Sequence, residues 1–130
     1  MAKVLIVEDN PANRELLAEM LGSWGYELLE ATDGQDALEK AASGQVDIVL
    51  LDIQMPVLDG YAVLSRLRAN PDLAKLPVIA LTAFAMRGDR EKALACGFDA
   101  YLTKPIDFQQ LRVELQKLSR PADTRPEVER

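Results

Sequence analysis

Polar side chains suited to phosphoryl chemistry stand directly after short apolar runs of this sequence. They comprise three carboxylates, a hydroxyl and an ammonium, which belong to Glu8, Asp9, Asp52, Thr82 and Lys104. An aspartate can attack phosphorus to form an acyl phosphate. An ammonium and a hydroxyl can stabilise charge on phosphoryl oxygens. We therefore predict that Asp52 is the nucleophile and that Thr82 and Lys104 hold the transferred group.

Three carboxylates in one place need a counter-charge. At about 4 Å each pair repels by roughly 4 kcal/mol at an effective dielectric near 20. Mg²⁺ takes oxygen ligands and is typically held by one or two carboxylates together with a phosphate. The chain has no histidine and a single cysteine, Cys96, which excludes a nitrogen or thiolate metal cage. The sequence predicts a divalent cation in an acidic pocket that includes Glu8 and Asp9.

Each of these residues also has an ordinary structural explanation. A strand-end acid such as Asp9 or Asp52 is often a helix cap. Thr82 could likewise be a capping hydroxyl, and Lys104 a solvated charge. The functional interpretation therefore depends on the joint occurrence of these groups at four separate strand ends.

Five apolar runs rich in branched residues alternate with amphipathic stretches, which predicts an α/β fold of five βα units. Runs that are apolar on both faces are typical of a buried parallel sheet. Ligands bind at the carboxyl ends of the strands of such sheets, and Asp52 follows the run expected at the centre. The predicted strands are Val4 to Val7, Tyr26 to Ala31, Val46 to Leu51, Val78 to Leu81 and Ala100 to Thr103.

Capping residues and apolar stripes predict a helix after every strand. The fourth helix is predicted from Phe84 to Ala95, with Gly97 as its end. The predicted starts of the other four are Asn10-Pro11, Asp33-Gly34, Gly60 and Asp107. The inward stripe of the first is predicted to be Leu16, Leu17, Met20, Leu21 and Trp24.

Composition excludes several classes of function. A net charge of −6 disfavours direct binding to nucleic acid and to anionic lipid. The first apolar run is too short for a signal peptide or a membrane span. One cysteine permits a reducing compartment. We expect a cytoplasmic domain with no membrane contact.

The sequence resembles the CheY-like receiver domain of bacterial two-component response regulators over residues 3 to 119. The resemblance rests on VLIVEDN at residues 4–10, LDIQMP at 51–56 followed by Asp59-Gly60, LTA at 81–83, and Lys104-Pro105. It implies a doubly wound sheet of flavodoxin/CheY-like topology with strand order 2-1-3-4-5. It also implies that a histidine kinase or phosphotransfer protein donates a phosphoryl group from phosphohistidine to Asp52.

The resemblance further assigns the site residues. It implies that Mg²⁺, for which Mn²⁺ can substitute, is bound by Asp9, Asp52 and the main-chain carbonyl of Gln54, with Glu8 acting through water. Thr82 and Tyr101 would be the switch residues, and Gln54 and Phe84 would set the phosphate lifetime. Such a domain is not a conventional turnover enzyme, although it catalyses its own Mg²⁺-dependent phosphorylation and dephosphorylation at Asp52.

The output implied by the resemblance is a protein contact. The fourth helix, the fifth strand and the fifth helix would form the switching surface that binds a downstream target protein, through Ala85, Met86, Arg87 and Arg90. We expect residues 1–119 to form the receiver domain, in a monomer or weak dimer. Residues 120–130 are expected to form a flexible tail too short to be an output domain.

Within the family, residues 82–89 resemble stand-alone receivers of the DivK type. The start at Met1 favours that over the receiver of a hybrid histidine kinase, which is the main alternative. A haloacid-dehalogenase-type phosphatase would carry a second acid where this chain has Gln54. A flavodoxin-like flavin binder is the remaining alternative, but Glu8-Asp9 would repel the flavin phosphate.

Overall fold

A single parallel sheet forms the centre of the protein. The computed structural model describes residues 2–55, 58–83 and 86–118. Its strands are β1 (Lys3–Val7), β2 (Glu27–Ala31), β3 (Ile48–Asp52), β4 (Val78–Thr82) and β5 (Ala100–Thr103). They lie in the order β2-β1-β3-β4-β5 with parallel pairing throughout, which confirms the predicted fold. All five residues of β3 and of β4 are buried, as expected for strands covered on both faces.

A helix follows each strand, as predicted. The helices are α1 (Pro11–Ser23), α2 (Gly34–Ser43), α3 (Gly60–Ala69), α4 (Asp89–Cys96) and α5 (Phe108–Leu118). The side chains of Asn10, Asp33 and Asp59 accept hydrogen bonds from main-chain N–H groups in the first turns of α1, α2 and α3. Asp107 does the same at α5. These caps fix where each helix begins relative to the strand end before it.

The helices cover both faces of the sheet. Helices α1 and α5 bury Leu17, Leu21, Leu111 and Leu115 in one core cluster. A second cluster contains residues of α2, α3 and α4 on the other side, among them Ala37, Ala41, Val63, Leu64, Leu67 and Ala93. The sheet is therefore doubly wound, with helices on both of its faces.

Helix α4 differs from the prediction. It begins at Asp89, not at Phe84, and Met86 to Gly88 form a turn before it. Gly88 has a φ of +87°, a left-handed conformation that interrupts a helix. The carboxylate of Asp89 accepts a hydrogen bond from the N–H of Met86, which closes the turn. Phe84 and Ala85 lie outside the described residues.

The inward stripe of α1 is narrower than predicted. Leu17 and Leu21 are buried, but Leu16 is 48% exposed. Adjacent helical residues point about 100° apart, so Leu16 cannot share the direction of Leu17. It lines a cleft of about 440 Å³ that also includes Ile106 and Phe108.

Close packing brings the start of α3 against the end of β3. A Cβ atom added at Gly60 would lie 2.7 Å from the Cα of Ile53 and 3.0 Å from the main-chain oxygen of Asp52. Only glycine permits this approach, which holds the loop after β3 at the sheet edge. Within the described ranges, the structure contains no helix with the length and hydrophobicity that a membrane span requires.

Candidate functional site

Three carboxylates meet at the carboxyl ends of two neighbouring strands. Glu8 and Asp9 follow β1, and Asp52 is the last residue of β3, which pairs with β1. Each carboxylate contributes an oxygen atom to a group whose members all lie within 4.8 Å of one another. Glu8 and Asp52 are only 1% and 3% exposed, whereas Asp9 is exposed. The predicted acidic pocket is therefore present, with one member facing solvent.

Lys104 joins two of these carboxylates. Its ammonium lies 2.8 Å from Oε1 of Glu8 and 3.1 Å from Oδ2 of Asp52. The main-chain N–H of Lys104 donates to the carbonyl of Thr82 at 2.8 Å, so the residue is anchored beside β4. A single cation thus faces two buried anions at the sheet edge.

The pKa values of this cluster reflect that balance. Burial and repulsion by Glu8 raise the pKa of Asp52 to about 6, against the opposing attraction of Lys104. Burial lowers the pKa of the Lys104 ammonium, but its hydrogen bonds to Glu8 and Asp52 outweigh burial and raise that pKa above its ordinary value. At neutral pH Asp52 is mainly an anion, as a nucleophile requires.

The donor set fits a hard divalent cation. The described residues supply three clustered carboxylates from Glu8, Asp9 and Asp52, and the chain has no histidine. Oxygen ligands of this kind favour Mg²⁺ or Mn²⁺ over softer metals. Excess negative charge remains, because the ammonium of Lys104 pairs with only two of the three clustered carboxylates. A bound cation would neutralise it.

Gln54 connects the end of β3 to the end of β4. Its main-chain N–H donates to Oδ1 of Asp52 at 3.0 Å. Its side-chain amide donates to the hydroxyl oxygen of Thr82 at 2.6 Å and accepts from the N–H of Ala83 at 3.0 Å. Thr82 is 1% exposed, so its hydroxyl lies in a largely water-free position.

Tyr101 is buried on β5, with 7% of its surface exposed. Its hydroxyl has no hydrogen-bond partner among the described residues. Burial and the nearby charge of Asp89 raise its pKa. With Thr82, Gln54 and Asp89 it lines a cavity of about 240 Å³. The two predicted switch residues therefore line one cavity.

The structure brings together every predicted site residue that lies within the described ranges. Glu8, Asp9, Asp52 and Lys104 form one cluster, and Gln54 links Thr82 to it. Phe84 lies outside the described residues. The roles of these residues in phosphoryl transfer, metal binding and switching remain predictions.

Two sets of side-chain contacts, made by Gln54 and Arg14, contribute to the site without having been predicted. The side-chain amide of Gln54 acts as a link to β4, whereas only its main-chain carbonyl and an effect on lifetime were expected. Arg14 donates to the carbonyl of Glu8 at 2.9 Å and pairs with Glu30 at 3.3 Å, which holds the loop after β1. The spacing of Arg14 from Pro11 places it in the first turn of α1, but no pattern identifies its partner.

Comparisons with known proteins agree with this geometry. Residues 4–116 match the family described as response regulator receiver domain. The polar-differentiation response regulator DivK of Brucella anthropi is 42% identical over 103 residues, which cover 79% of this chain and 84% of DivK. The sensor histidine kinase RcsC of Salmonella typhi is 41% identical over 112 residues, 86% of this chain. The chain spans only 12% of the length of RcsC.

A solved structure shows the same fold with a bound magnesium ion. The receiver domain of the sensor histidine kinase PA1611 from Pseudomonas aeruginosa, with a magnesium ion coordinated in its active-site cleft, superimposes with a TM-score of 0.83. It is 40% identical and the match covers 91% of this chain and 97% of that domain. The chain therefore belongs to the response regulator receiver domain family of two-component signalling, in which phosphoryl acceptance is typical.

Proposed function

We propose that this domain accepts a phosphoryl group on Asp52 from a phosphohistidine of a histidine kinase or phosphotransfer protein. Receiver domains interact with proteins of these two kinds. The observation that carries the proposal is the position of Asp52, which is 3% exposed and lies 3.1 Å from the Lys104 ammonium. A structural helix cap would not need that burial or that cation.

In the proposed transfer, a carboxylate oxygen of Asp52 attacks phosphorus and an O–P bond forms. The N–P bond to the imidazole breaks, and the imidazole nitrogen leaves with the electron pair. Lys104 stabilises charge on the phosphoryl oxygens, and Thr82 donates a hydrogen bond to one of them. Asp52, ionised at neutral pH with a pKa of about 6, needs no separate base.

Mg²⁺, or Mn²⁺ in its place, would be held by Asp9, Asp52 and the main-chain carbonyl of Gln54, with Glu8 acting through water. The cation would supply positive charge to the phosphoryl oxygens during transfer. Support comes from the three clustered carboxylates and from the magnesium ion in the PA1611 receiver. The exposed position of Asp9 leaves one side of the pocket open to solvent.

Hydrolysis of the acyl phosphate would reset the domain. Water attacks phosphorus, and the bond between the Asp52 oxygen and phosphorus breaks. Inorganic phosphate is released, and Asp52 becomes a free carboxylate again. Gln54 and Phe84 are proposed to set the rate by controlling water access to the phosphoryl group. The domain is a signalling module and not a conventional enzyme, so the role of these steps is to change its own state.

The proposed output is a change in the surface formed by α4, β5 and α5. Phosphorylation would draw Thr82 towards the phosphoryl group and reposition Tyr101. Met86, Arg87 and Arg90 are exposed and would contact a downstream target protein. This output fits either a stand-alone regulator such as DivK or a receiver within a longer kinase such as RcsC. We propose cytoplasmic action through protein contacts, without nucleic-acid or membrane binding, by a receiver domain of residues 1–119. The predicted tail, residues 120–130, lies outside the described residues.

Incubation with acetyl phosphate and Mg²⁺ tests the proposal. Intact-mass spectrometry should show one phosphoryl adduct, which chelation by EDTA prevents. Asp52→Asn should abolish the adduct, whereas Asp72→Asn, on an exposed acid remote from the pocket, should retain it. An Asp52→Asn protein that still gains the adduct, or a wild-type protein that never does, would refute the assignment.

A further inference from the structure

We propose that the Gln54 side chain is a latch that the phosphoryl group on Asp52 must displace. In the unphosphorylated protein its amide binds the Thr82 hydroxyl and the Ala83 N–H. The inference rests on the proposed function, because it concerns the same phospho-acceptor, and it adds a positioning residue that acts through Thr82 and Ala83.

Three hydrogen bonds define the latch. The main-chain N–H of Gln54 bonds to Oδ1 of Asp52 at 3.0 Å, which places the start of the Gln54 side chain beside the phospho-acceptor. The far end of the side chain reaches Oγ1 of Thr82 at 2.6 Å and the N–H of Ala83 at 3.0 Å. Gln54 therefore extends from Asp52 to the two groups of β4 and its following loop that can donate to an anion.

Competition follows from the number of donors. A main-chain N–H has one hydrogen, so Ala83 cannot bond fully to the Gln54 amide and to a phosphoryl oxygen at once. The Thr82 hydroxyl can accept and donate together, but its short bond to Gln54 holds it in one position. Movement of Thr82 towards a phosphoryl group must break or stretch that bond. A charged phosphoryl acceptor forms the stronger hydrogen bond and can replace the neutral amide.

An amide suits this latch chemically. It supplies one donor for Thr82 and one acceptor for Ala83, and it adds no charge beside Glu8 and Asp52. Methionine has a side chain of similar length without strong hydrogen-bonding atoms, so Gln54→Met should remove both latch bonds. The bond from the Gln54 main chain to Asp52 is independent of side-chain identity. Ala83 is exposed, so water can replace the lost acceptor and the fold should persist.

Stopped-flow measurement of beryllofluoride binding in the presence of Mg²⁺ tests the latch. Beryllofluoride is the probe for the phosphoryl group on Asp52. Gln54→Met should speed association about three- to tenfold, because the probe no longer has to break the two hydrogen bonds of the Gln54 amide. Each of these bonds stabilises the unphosphorylated state by a modest net free energy. Gln35→Met, on an exposed glutamine of α2, is the matched control and should associate at the wild-type rate.

An NMR measurement without any probe provides the second readout. The Ala83 amide proton should shift upfield in Gln54→Met and stay in place in Gln35→Met, because only the first loses the acceptor at 3.0 Å. Gln54→Asn, one methylene shorter, should not restore the wild-type resonance. A purely structural role for Gln54 would instead disturb amides throughout β3 and β4.

The outcomes separate the two proposals. If the wild-type protein binds no beryllofluoride with Mg²⁺, the proposed function fails and the latch fails with it. If the wild-type protein binds but Gln54→Met associates at the same rate or more slowly, the latch alone is overturned. An unchanged Ala83 resonance in Gln54→Met also overturns it. Faster association together with a local Ala83 shift supports the latch.

Discussion

The ammonium of Lys104 lies 2.8 Å from the carboxylate of Glu8, although the two residues are 96 positions apart in the chain. The same ammonium lies 3.1 Å from Asp52. Glu8 and Asp52 are almost fully buried, whereas 18% of the Lys104 side chain is exposed. One partly accessible cation therefore stabilises two buried anions. Removal of any of these three charges should change the free energy of unfolding.

Removal of that cation should destabilise the fold. Lys104→Met leaves Glu8 and Asp52 unpaired, which we expect to lower the free energy of unfolding at pH 7 by about 2 to 4 kcal/mol. Mg²⁺ should recover part of this loss. Denaturant titration with and without Mg²⁺ measures both effects, with Lys75→Met as an exposed control. A variant as stable as wild type without metal would show that the Lys104 pairs contribute little.

Removal of the Asp52 charge should have the opposite effect. The pKa of Asp52 is about 6 in the folded protein, above the ordinary 3.8, so the folded state binds its proton more tightly than the unfolded state does. Stability from this group therefore falls as the pH rises from about 4 to about 6 and stays low above that range. Above pH 6, the free energy of unfolding of Asp52→Asn should exceed that of wild type by on the order of 2 kcal/mol.

Metal-free denaturant titrations at pH 4 and pH 7 measure this pH dependence. The difference in free energy of unfolding between Asp52→Asn and wild type should be near zero at pH 4 and largest at pH 7. Asp72→Asn is the control, because Asp72 is exposed and outside the acidic pocket. A difference that is equal at both values, or larger at pH 4, would contradict the raised pKa of Asp52.

The sheet and the positions of the acidic residues could be predicted because each depends on local sequence. The predicted strand Val46 to Leu51 is apolar on both faces, which is typical of a central strand of a parallel sheet, and the structure has it at Ile48–Asp52. Residues at the carboxyl end of such a strand lie at the edge where ligands bind. The convergence of Glu8, Asp9 and Asp52 then follows from the strand order that the family resemblance implies, in which β1 lies beside β3. Lys104 follows β5 by the same reasoning.

The remaining features depend on contacts that no periodicity encodes. An apolar stripe predicted Leu16 to face inward, but the exact rotation of α1 leaves it at the edge of a cleft. The start of α4 depends on the left-handed Gly88 and on the Asp89 carboxylate, which close a turn where continuous helix was expected. The Gln54 amide bonds depend on one side-chain conformation. Tertiary packing determines the rotation of α1, the start of α4 and this side-chain conformation.

Replacement of Asp9 should affect Mg²⁺ affinity more than it affects the free energy of unfolding. Asp9 is exposed and lies within the carboxylate group, so Asp9→Asn should change the metal-free free energy of unfolding by no more than about 0.5 kcal/mol. Its Mg²⁺ affinity should fall at least about tenfold, since a charged ligand is lost. Isothermal titration calorimetry with Mg²⁺ and Mn²⁺ measures this, with Asp72→Asn as control. Equal affinity in Asp9→Asn and wild type would exclude Asp9 as a ligand.

The buried hydroxyl of Tyr101 should lower the stability of the unphosphorylated protein. It has no hydrogen-bond partner among the described residues, and a buried polar group without a partner costs about 1 to 3 kcal/mol. Tyr101→Phe removes the hydroxyl and keeps the ring, so we expect the free energy of unfolding to rise by about 1 kcal/mol. Tyr26→Phe, at a half-buried position, should be neutral. Denaturant titration of both variants decides the matter, because a loss of stability confined to Tyr101→Phe would mean that the hydroxyl has a partner and stabilises this state.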